Sequence, residues 1–216
     1  MSAIVLALAL LFFINRRTNK ALAQKNIALD EERKRSEDLL LNILPEDVVT
    51  ELKKEGKTVP KNYVMATVLF ADIQDFTKIS ERLSPEELVS SLDIYFESFD
   101  KILEKYNVEK IKTIGDAYVC VGGVPVANKS NPEEVVRVGL EFIQVVQKLK
   151  EEREKIGKPF FDVRIGIHSG PLVAGVVGIK KFAYDIWGDT VNMAARMQQH
   201  GEPLQLNISD VTYQII

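Results

Sequence analysis

The order of apolar and amphipathic segments in the second half of the chain most strongly constrains its fold. An apolar, β-branched run from Met65 to Ile73 predicts a buried strand, and Ser84 to Tyr106 has helical periodicity. Two strand-like runs around the Gly115–Asp116 turn predict a hairpin. A second helical segment from Asn131 to Ile156 precedes an alternating run from Phe161 to Ser169. This β-α-β-β-α-β order predicts an α+β domain of the split β-α-β, ferredoxin-like type.

The rest of this region predicts further regular structure. Residues 173–186 supply strand-like material, and Thr190 to Gln199 have the pattern of a helix. The single cysteine, Cys120, lies in an apolar run, which excludes an internal disulfide and favours a buried thiol. We expect a structural role for the isolated His168, and a core position for Trp187.

The N-terminal residues have a different composition. Ala3 to Ile14 form an unbroken run of twelve apolar residues, followed directly by Asn15, Arg16 and Arg17. This run is shorter than the ~20 residues of a full bilayer span, and a signal peptide would carry its positive charges before the run. We therefore expect residues 1–17 to be the end of a truncated transmembrane helix. The positive-inside rule then predicts a cell-membrane protein with the downstream domain in the cytoplasm. A buried helix is the alternative.

Between the two regions lies a charged stretch rich in helix formers. Thr18 to Leu44 lacks glycine and proline and predicts a long helix, with an incomplete heptad pattern. Pro45 and Gly56 bracket a short amphipathic helix. We expect residues 18–60 to form a helical or coiled-coil signalling linker and residues 61–216 to form the catalytic domain.

Charge excludes one class of partner. The formal net charge is −3, with 28 basic and 31 acidic side chains, so the chain has no global positive field that attracts nucleic acid. Phosphate recognition must therefore be local.

Two aspartates stand where apolar strands meet turns. Asp72 ends the first predicted strand, and Asp116 lies at the hairpin tip. Alone, each is explained by an Asx turn. Neighbouring strand ends would bring them together, and two such carboxylates suit Mg²⁺ or Mn²⁺ held jointly with substrate phosphates. With Lys112 on the same hairpin, we favour the metal site.

Lys112 also suggests a nucleobase contact. A lysine donates to a ring nitrogen, and a carboxylate such as Asp185 accepts from an exocyclic amine. Together they match adenine and disfavour guanine.

Four strings resemble the motifs of class III nucleotidyl cyclases over residues 63–216: FADIQDFT (70–77), KTIGDAY (112–118), RIGIHSGPLVAGVVG (164–178) and YDIWGDTVNMAARM (184–197). The resemblance implies a cyclase domain that converts ATP to 3′,5′-cyclic AMP and pyrophosphate. It also implies a head-to-tail homodimer whose two sites each combine residues of both subunits.

The resemblance assigns roles by motif position. Asp72 and Asp116 would bind two Mg²⁺ or Mn²⁺ ions with the backbone carbonyl of Ile73. Phe76 and Thr77, in the same string, would be substrate-binding residues.

The later strings supply the base and transition-state contacts. By the same resemblance, Lys112 and Asp185 would read adenine, Asn192 would orient the ribose, and Arg196 would neutralise charge near the α-phosphate. Asn192 and Arg196 are four residues apart and share one face of a helix.

Alternatives and departures accompany this interpretation. The first alternative is a guanylate cyclase, but the family pattern for GTP has Glu in place of Lys112 and Cys or Ser in place of Asp185. A catalytically silent dimerisation module is a further alternative. Asp75 stands where the family commonly has glycine, and we expect it to cap the following helix with its charge turned away from the phosphates. A third metal contact is the less favoured alternative. The family also supplies a late lysine to the triphosphate from a strand beyond Ile216, so we expect the catalytic domain to lack its last strands.

Overall fold

The chain divides into two compact units, Met1–Gly56 and Lys57–Ile216. The computed structural model describes residues 3–178 and 182–216. Residues 1–2 of the predicted N-terminal segment and residues 179–181 of the predicted strand material lie outside the described residues.

The first unit consists of two helices. Helix α1 (Ala3–Leu41) is 39 residues long, and α2 (Glu46–Glu55) follows after a short turn. Pro45 precedes α2 and Gly56 ends it with a left-handed backbone (φ 70°), as the sequence predicts. Lys53 of α2 donates a hydrogen bond to the carboxylate of Glu37 in α1.

The predicted membrane segment is not supported. Among residues 3–178 and 182–216, no helix combines the length and the hydropathy that a membrane span needs. The apolar run at the start of α1 has only twelve residues. At a rise of about 1.5 Å per residue it covers about 18 Å, against about 30 Å of hydrocarbon.

The second unit is built on one sheet. In its described residues the strands are β1 (Lys61–Ile73), β2 (Val108–Ile114), β3 (Ala117–Gly122), β4 (Val163–Val177), β5 (Ala183–Trp187) and β6 (Leu206–Ile208). The helices are α3 (Phe76–Ser80), α4 (Pro85–Leu103), α5 (Asn131–Lys155), α6 (Asp189–Gln199) and α7 (Asp210–Tyr213). The strand order is β2-β3-β1-β4-β5, with antiparallel neighbours, and β6 pairs in parallel with β4. The predicted β-α-β-β-α-β order is therefore observed from β1 to β4.

Local sequence signals explain where the large helices begin. Ser84 caps α4 in a full capping box with Glu87, and Pro85 occupies the first turn. Pro132 has the same place in α5. Both starts agree with the sequence prediction because caps are set by residues close together in the chain.

Opposite faces of the sheet pack on different helices. On one face, α4 and α5 bury a core in which the rings of Phe99 and Phe142 stack at 4.0 Å. Cys120 is buried there, as predicted, and burial raises the pKa of its thiol. On the other face, α6 lies against Gly166, where a Cβ would come within 1.9 Å of the Gln198 backbone nitrogen. Only glycine permits this close approach of α6 to the sheet.

His168 belongs to a chain of buried polar groups. Its Nδ1 lies 2.7 Å from the Ser209 hydroxyl, which contacts Thr212 at 3.1 Å. Thr212 in turn donates to Ser169 at 3.1 Å. This arrangement agrees with the predicted structural role of His168.

The pKa of His168 is lowered by burial, which the carboxylate of Asp189 opposes. The unfolded chain therefore takes up a proton first as the pH falls, so stability is full above about pH 6.5 and decreases below it. We expect the melting temperature to decrease from about pH 7.5 to about pH 5.5, and the decrease to be smaller in His168→Gln, which retains a partner for Ser209. Thermal unfolding of both proteins across this range measures the difference. Identical pH profiles would contradict the expectation.

Candidate active site

A cavity of about 440 Å³ opens at the end of β1. Five site residues predicted from the sequence line it: Asp72, Ile73, Phe76, Thr77 and Asp116. The strand register explains this meeting, because Asp72 pairs with Ala117, the residue that directly follows Asp116. The hairpin tip and the end of β1 are therefore adjacent, although 44 residues separate the two aspartates in the chain.

Asp72 is held by two side chains that were not predicted from the sequence. Its Oδ2 accepts a hydrogen bond from Arg164 Nη2 at 3.0 Å and another from Gln198 Nε2 at 3.1 Å. Arg164 is the register partner of Asp72 on β4, and Gln198 arrives from α6. Two donors on one oxygen fix the orientation of this carboxylate. In the sequence, Arg164 is marked only by its place as the first residue of the third family-like string. The position of Gln198 depends on how α6 packs, so no sequence pattern indicated it.

Asp116 interacts electrostatically with Asp72. Burial raises the pKa of Asp116, the negative charge of Asp72 raises it further, and Arg164 opposes both. A divalent cation between these two carboxylates would stabilise the charged form of Asp116. Within the described ranges, no group of three or more His, Cys, Asp or Glu side chains is arranged to hold a metal. Three carboxylates line the cavity: Asp72 and Asp116, which interact electrostatically, and Asp75, which is bound to Lys78.

Asp75 does not cap α3 as predicted. It occupies the N-cap position, but its side chain accepts no hydrogen bond from the helix backbone. Its Oδ1 instead accepts from Lys78 Nζ at 2.7 Å. Its backbone is left-handed (φ 53°, ψ 27°), a conformation that glycine adopts freely and most other residues adopt with strain.

This backbone conformation gives a stability prediction. Asp75→Gly and Asp75→Ala both remove the carboxylate, but only alanine retains a Cβ in the left-handed region. We expect the glycine variant to be more stable than the alanine variant by about 1 kcal/mol. Denaturant unfolding of the two variants measures this difference, and equal stabilities would show that the position carries no backbone strain.

Lys112 and Asp185 are brought together, as the adenine hypothesis requires. Lys112 Nζ donates to Asp185 Oδ2 at 2.5 Å, and Asp185 Oδ1 accepts from the Ile186 backbone at 2.8 Å. The two residues lie on β2 and β5, 73 positions apart in the chain. Each is partly exposed, so solvent and a ligand can reach this pair.

Trp187 is not a core residue, contrary to the prediction. It is 38% exposed, two residues after Asp185. Strand β5 buries Tyr184 and Ile186, so the alternation of side chains directs Trp187 to the same side as Asp185. The aromatic ring therefore belongs to the accessible side of β5.

Asn192 and Arg196 lie on the exposed side of α6. Arg196 is within 3.5 Å of Asp189, and neither Asn192 nor Arg196 lines the cavity at the end of β1. Gln198, two residues beyond Arg196, is buried and contacts Asp72. Residues two apart on a helix point to nearly opposite sides, so α6 supports the carboxylate from one face and presents Asn192 and Arg196 outward on the other.

The geometry therefore comprises one acidic cavity, a separate lysine–aspartate pair and an outward-facing asparagine–arginine pair. The family model of the adenylate and guanylate cyclase catalytic domain matches residues 58–216 of this chain. The chain belongs to this family. The match covers the whole sheet and every residue of the candidate site.

The curated relatives from mycobacteria are longer than this chain. An adenylate cyclase from Mycobacterium tuberculosis (strain ATCC 25618 / H37Rv) is 37% identical over 214 residues, which cover 99% of this chain and 46% of the relative. The chain thus spans less than half the length of the curated relative that it matches.

Solved structures of both kinds of cyclase are similar to it. The adenylyl cyclase CyaB from P. aeruginosa is 29% identical with a TM-score of 0.69, over 74% of this chain and 83% of that chain. The guanylate cyclase domain of RhGC from Catenaria anguillulae, in complex with GTP, is 35% identical with a TM-score of 0.66, over 72% and 84%. The fold is therefore that of the cyclase catalytic domain, and the similar proteins include both nucleotide specificities.

Proposed function

We propose that this chain is the catalytic part of an adenylate cyclase that converts ATP to 3′,5′-cyclic AMP and pyrophosphate. The observation that carries the proposal is the Lys112–Asp185 pair. It offers one donor and one acceptor at an accessible position, and adenine presents the complementary acceptor and donor. A bound adenine would replace the hydrogen bond between the two side chains: Lys112 would donate to a ring nitrogen, and Asp185 would accept from the exocyclic amine.

In this proposal the acidic cavity would hold two divalent ions, Mg²⁺ or Mn²⁺. Asp72 and Asp116 supply carboxylates, the charge of Asp72 acts on Asp116, and Ile73 lines the same cavity. Mg²⁺ in proteins typically uses one or two carboxylates and completes its shell with water and substrate phosphates. When bound, such ions lower the pKa of the attacking hydroxyl and offset the negative charge of the phosphates.

The chain's own residues position the reacting groups. Arg164 and Gln198 keep the Asp72 carboxylate in one orientation, and Phe76 and Thr77 occupy the wall of the cavity after β1. In the proposed reaction the ribose 3′-hydroxyl loses its proton to solvent, and its oxygen bonds to the α-phosphorus as the bond to pyrophosphate breaks. A carboxylate fixed beforehand needs no reorganisation during this displacement.

A second copy of the chain would complete each site. In a head-to-tail homodimer, one subunit would contribute Asp72 and Asp116, and the other would contribute Lys112, Asp185 and the exposed α6 residues Asn192 and Arg196. Asn192 would orient the ribose, and Arg196 would donate to the α-phosphate with its planar group of N–H donors. Their outward position on α6 supports this division of roles. Two-fold symmetry then gives two equivalent sites.

Guanylate cyclase is the second candidate. The similarity to a cyclase domain bound to GTP favours it, whereas Lys112 and Asp185 favour adenine. A silent dimerisation module is less consistent with the site, because both aspartates line one cavity and Asp72 is oriented by two donors.

One assay tests the proposal. The purified chain is incubated with ATP or GTP and either Mg²⁺ or Mn²⁺, and both cyclic nucleotides are quantified by mass spectrometry. We expect cyclic AMP as the main product. A preference for GTP would favour the second candidate, and no product with either nucleotide from a demonstrably dimeric protein would favour the silent module.

A further inference from the structure

Two cavities meet at the Asp75–Lys78 ion pair. Both residues line the acidic cavity of about 440 Å³ and also a second cavity of about 270 Å³. The second cavity is lined in addition by Gln74, Ile79, Arg82, Phe160 and Asp162. The Asp162 carboxylate is paired with Lys150 at 2.9 Å. Because the pair lines both spaces, a ligand that extends from one cavity into the other would come close to it.

The two basic side chains that line the acidic cavity, Lys78 and Arg164, have different ion-pair partners. Arg164 is bound to Asp72, a proposed metal ligand, at 3.0 Å. Lys78 is bound at 2.7 Å to Asp75, which is not a proposed metal ligand. The Lys78 and Asp75 side chains are 76% and 48% exposed, and exposed pairs of this kind contribute only a small free energy. Lys78 can therefore exchange its partner at little cost.

The side cavity carries a second positive charge. Arg82 lies four residues after Lys78 and lines this cavity. No ion pair of Arg82 is found in the part of the chain that the structure describes. An anion that reaches the boundary between the cavities would thus meet Lys78 first, with Arg82 beyond it.

We propose that Lys78 is a phosphate-binding residue and that Asp75 is the anion that phosphate displaces. Lys78 transfers its hydrogen bond from the Asp75 carboxylate to the terminal phosphates of the nucleotide, and to pyrophosphate after the reaction. The inference depends on the proposed function, since it assumes a triphosphate substrate. It gives Asp75 a competing role in place of the capping role predicted from the sequence.

Pyrophosphate with Mg²⁺ is the probe, and isothermal titration calorimetry of the full chain is the measurement. We expect Lys78→Met to weaken binding about five- to tenfold, the usual loss for one charge-assisted hydrogen bond to a partly exposed group. We expect Asp75→Asn to tighten binding about two- to fivefold, because the competing charge is gone. The double variant should bind as weakly as Lys78→Met or nearly so.

The double variant separates direct contact from simple neutralisation. If Lys78 only cancels the charge of Asp75, the loss caused by Lys78→Met disappears in the Asp75→Asn background, and the proposal is wrong. Unchanged binding by Lys78→Met, or weaker binding by Asp75→Asn, would also overturn it. Lys101→Met is the matched control, because Lys101 forms a similar exposed pair with Glu97 at 2.8 Å on α4, away from both cavities. Thermal unfolding of each variant checks that the fold is retained.

Kinetics distinguish this inference from the proposed function. In an active cyclase, Lys78→Met should raise KM for the nucleotide by a similar factor with a smaller change in kcat. If the wild-type chain makes no cyclic nucleotide but the pyrophosphate pattern holds, only the proposed function fails. If cyclic AMP is made and the pattern is absent, only the role of Lys78 fails.

Discussion

Replacing Asp116 with alanine is expected to reduce cyclic AMP formation by at least about a thousandfold. The change removes one of the two carboxylates proposed to bind metal, and the other, Asp72, is already bound to Arg164 and Gln198. Loss of the ions would remove both activation of the attacking hydroxyl and stabilisation of the phosphate charge. Product formation at saturating Mg²⁺ measures the effect. Relief of repulsion makes a stable fold the expected outcome, which thermal unfolding checks.

Mixing this variant with Arg196→Ala tests the shared site. Arg196→Ala alone should lose about 10²–10³ in rate, the usual cost of a transition-state donor. In a mixed dimer, one site combines wild-type Asp116 of one copy with wild-type Arg196 of the other. Random exchange would then restore about a quarter of wild-type activity, since half of the dimers carry one intact site of two. A mixture as inactive as its components would show that both residues act within one chain.

The Lys112→Glu/Asp185→Cys double substitution is expected to move the preference from ATP to GTP. It replaces the donor and the acceptor of the present 2.5 Å pair with an acceptor and a weak donor. Sites that hydrogen-bond one base edge reject the mispaired base strongly. We expect the ratio of kcat/KM for ATP to that for GTP to fall by at least about a hundredfold.

The single substitutions are the matched controls. Each single variant has one side chain suited to adenine and one suited to guanine, so either base would meet one mismatched group. Each should therefore lose activity with ATP without gaining activity with GTP. A double variant that still prefers ATP would show that other residues choose the base. A single variant that switches alone would show that one position is sufficient.

Local chemistry made several elements predictable. The start of α4 follows from the Ser84–Glu87 capping box, and the end of α2 follows from Gly56. The hairpin of β2 and β3 follows from two strand-like runs around Gly115. In each case the deciding residues are neighbours in sequence, so no distant contact had to be known.

Two predictions were wrong because they came from neighbouring residues in sequence, whereas the tertiary structure determines the backbone or the burial at those positions. A cap was predicted for Asp75 from its place before a helix, but the left-handed backbone turns its side chain to Lys78. A core position was predicted for Trp187, but the alternation along β5 exposes it. The transmembrane end expected from twelve apolar residues is a separate case: it is not supported, because no helix among the described residues has the length and hydropathy of a membrane span.

The sequence by itself determined the kinds and order of the elements and the residue types of the candidate site, because caps, turns and apolar periodicity are properties of neighbouring residues. Only the tertiary structure decided that Arg164 and Gln198 hold Asp72, that Lys112 meets Asp185 and that Arg196 faces away from the acidic cavity. These contacts depend on the register of β1 with β4 and on the close approach of α6 at Gly166. Such long-range packing brings together side chains whose separation along the chain carries no information about their distance in space.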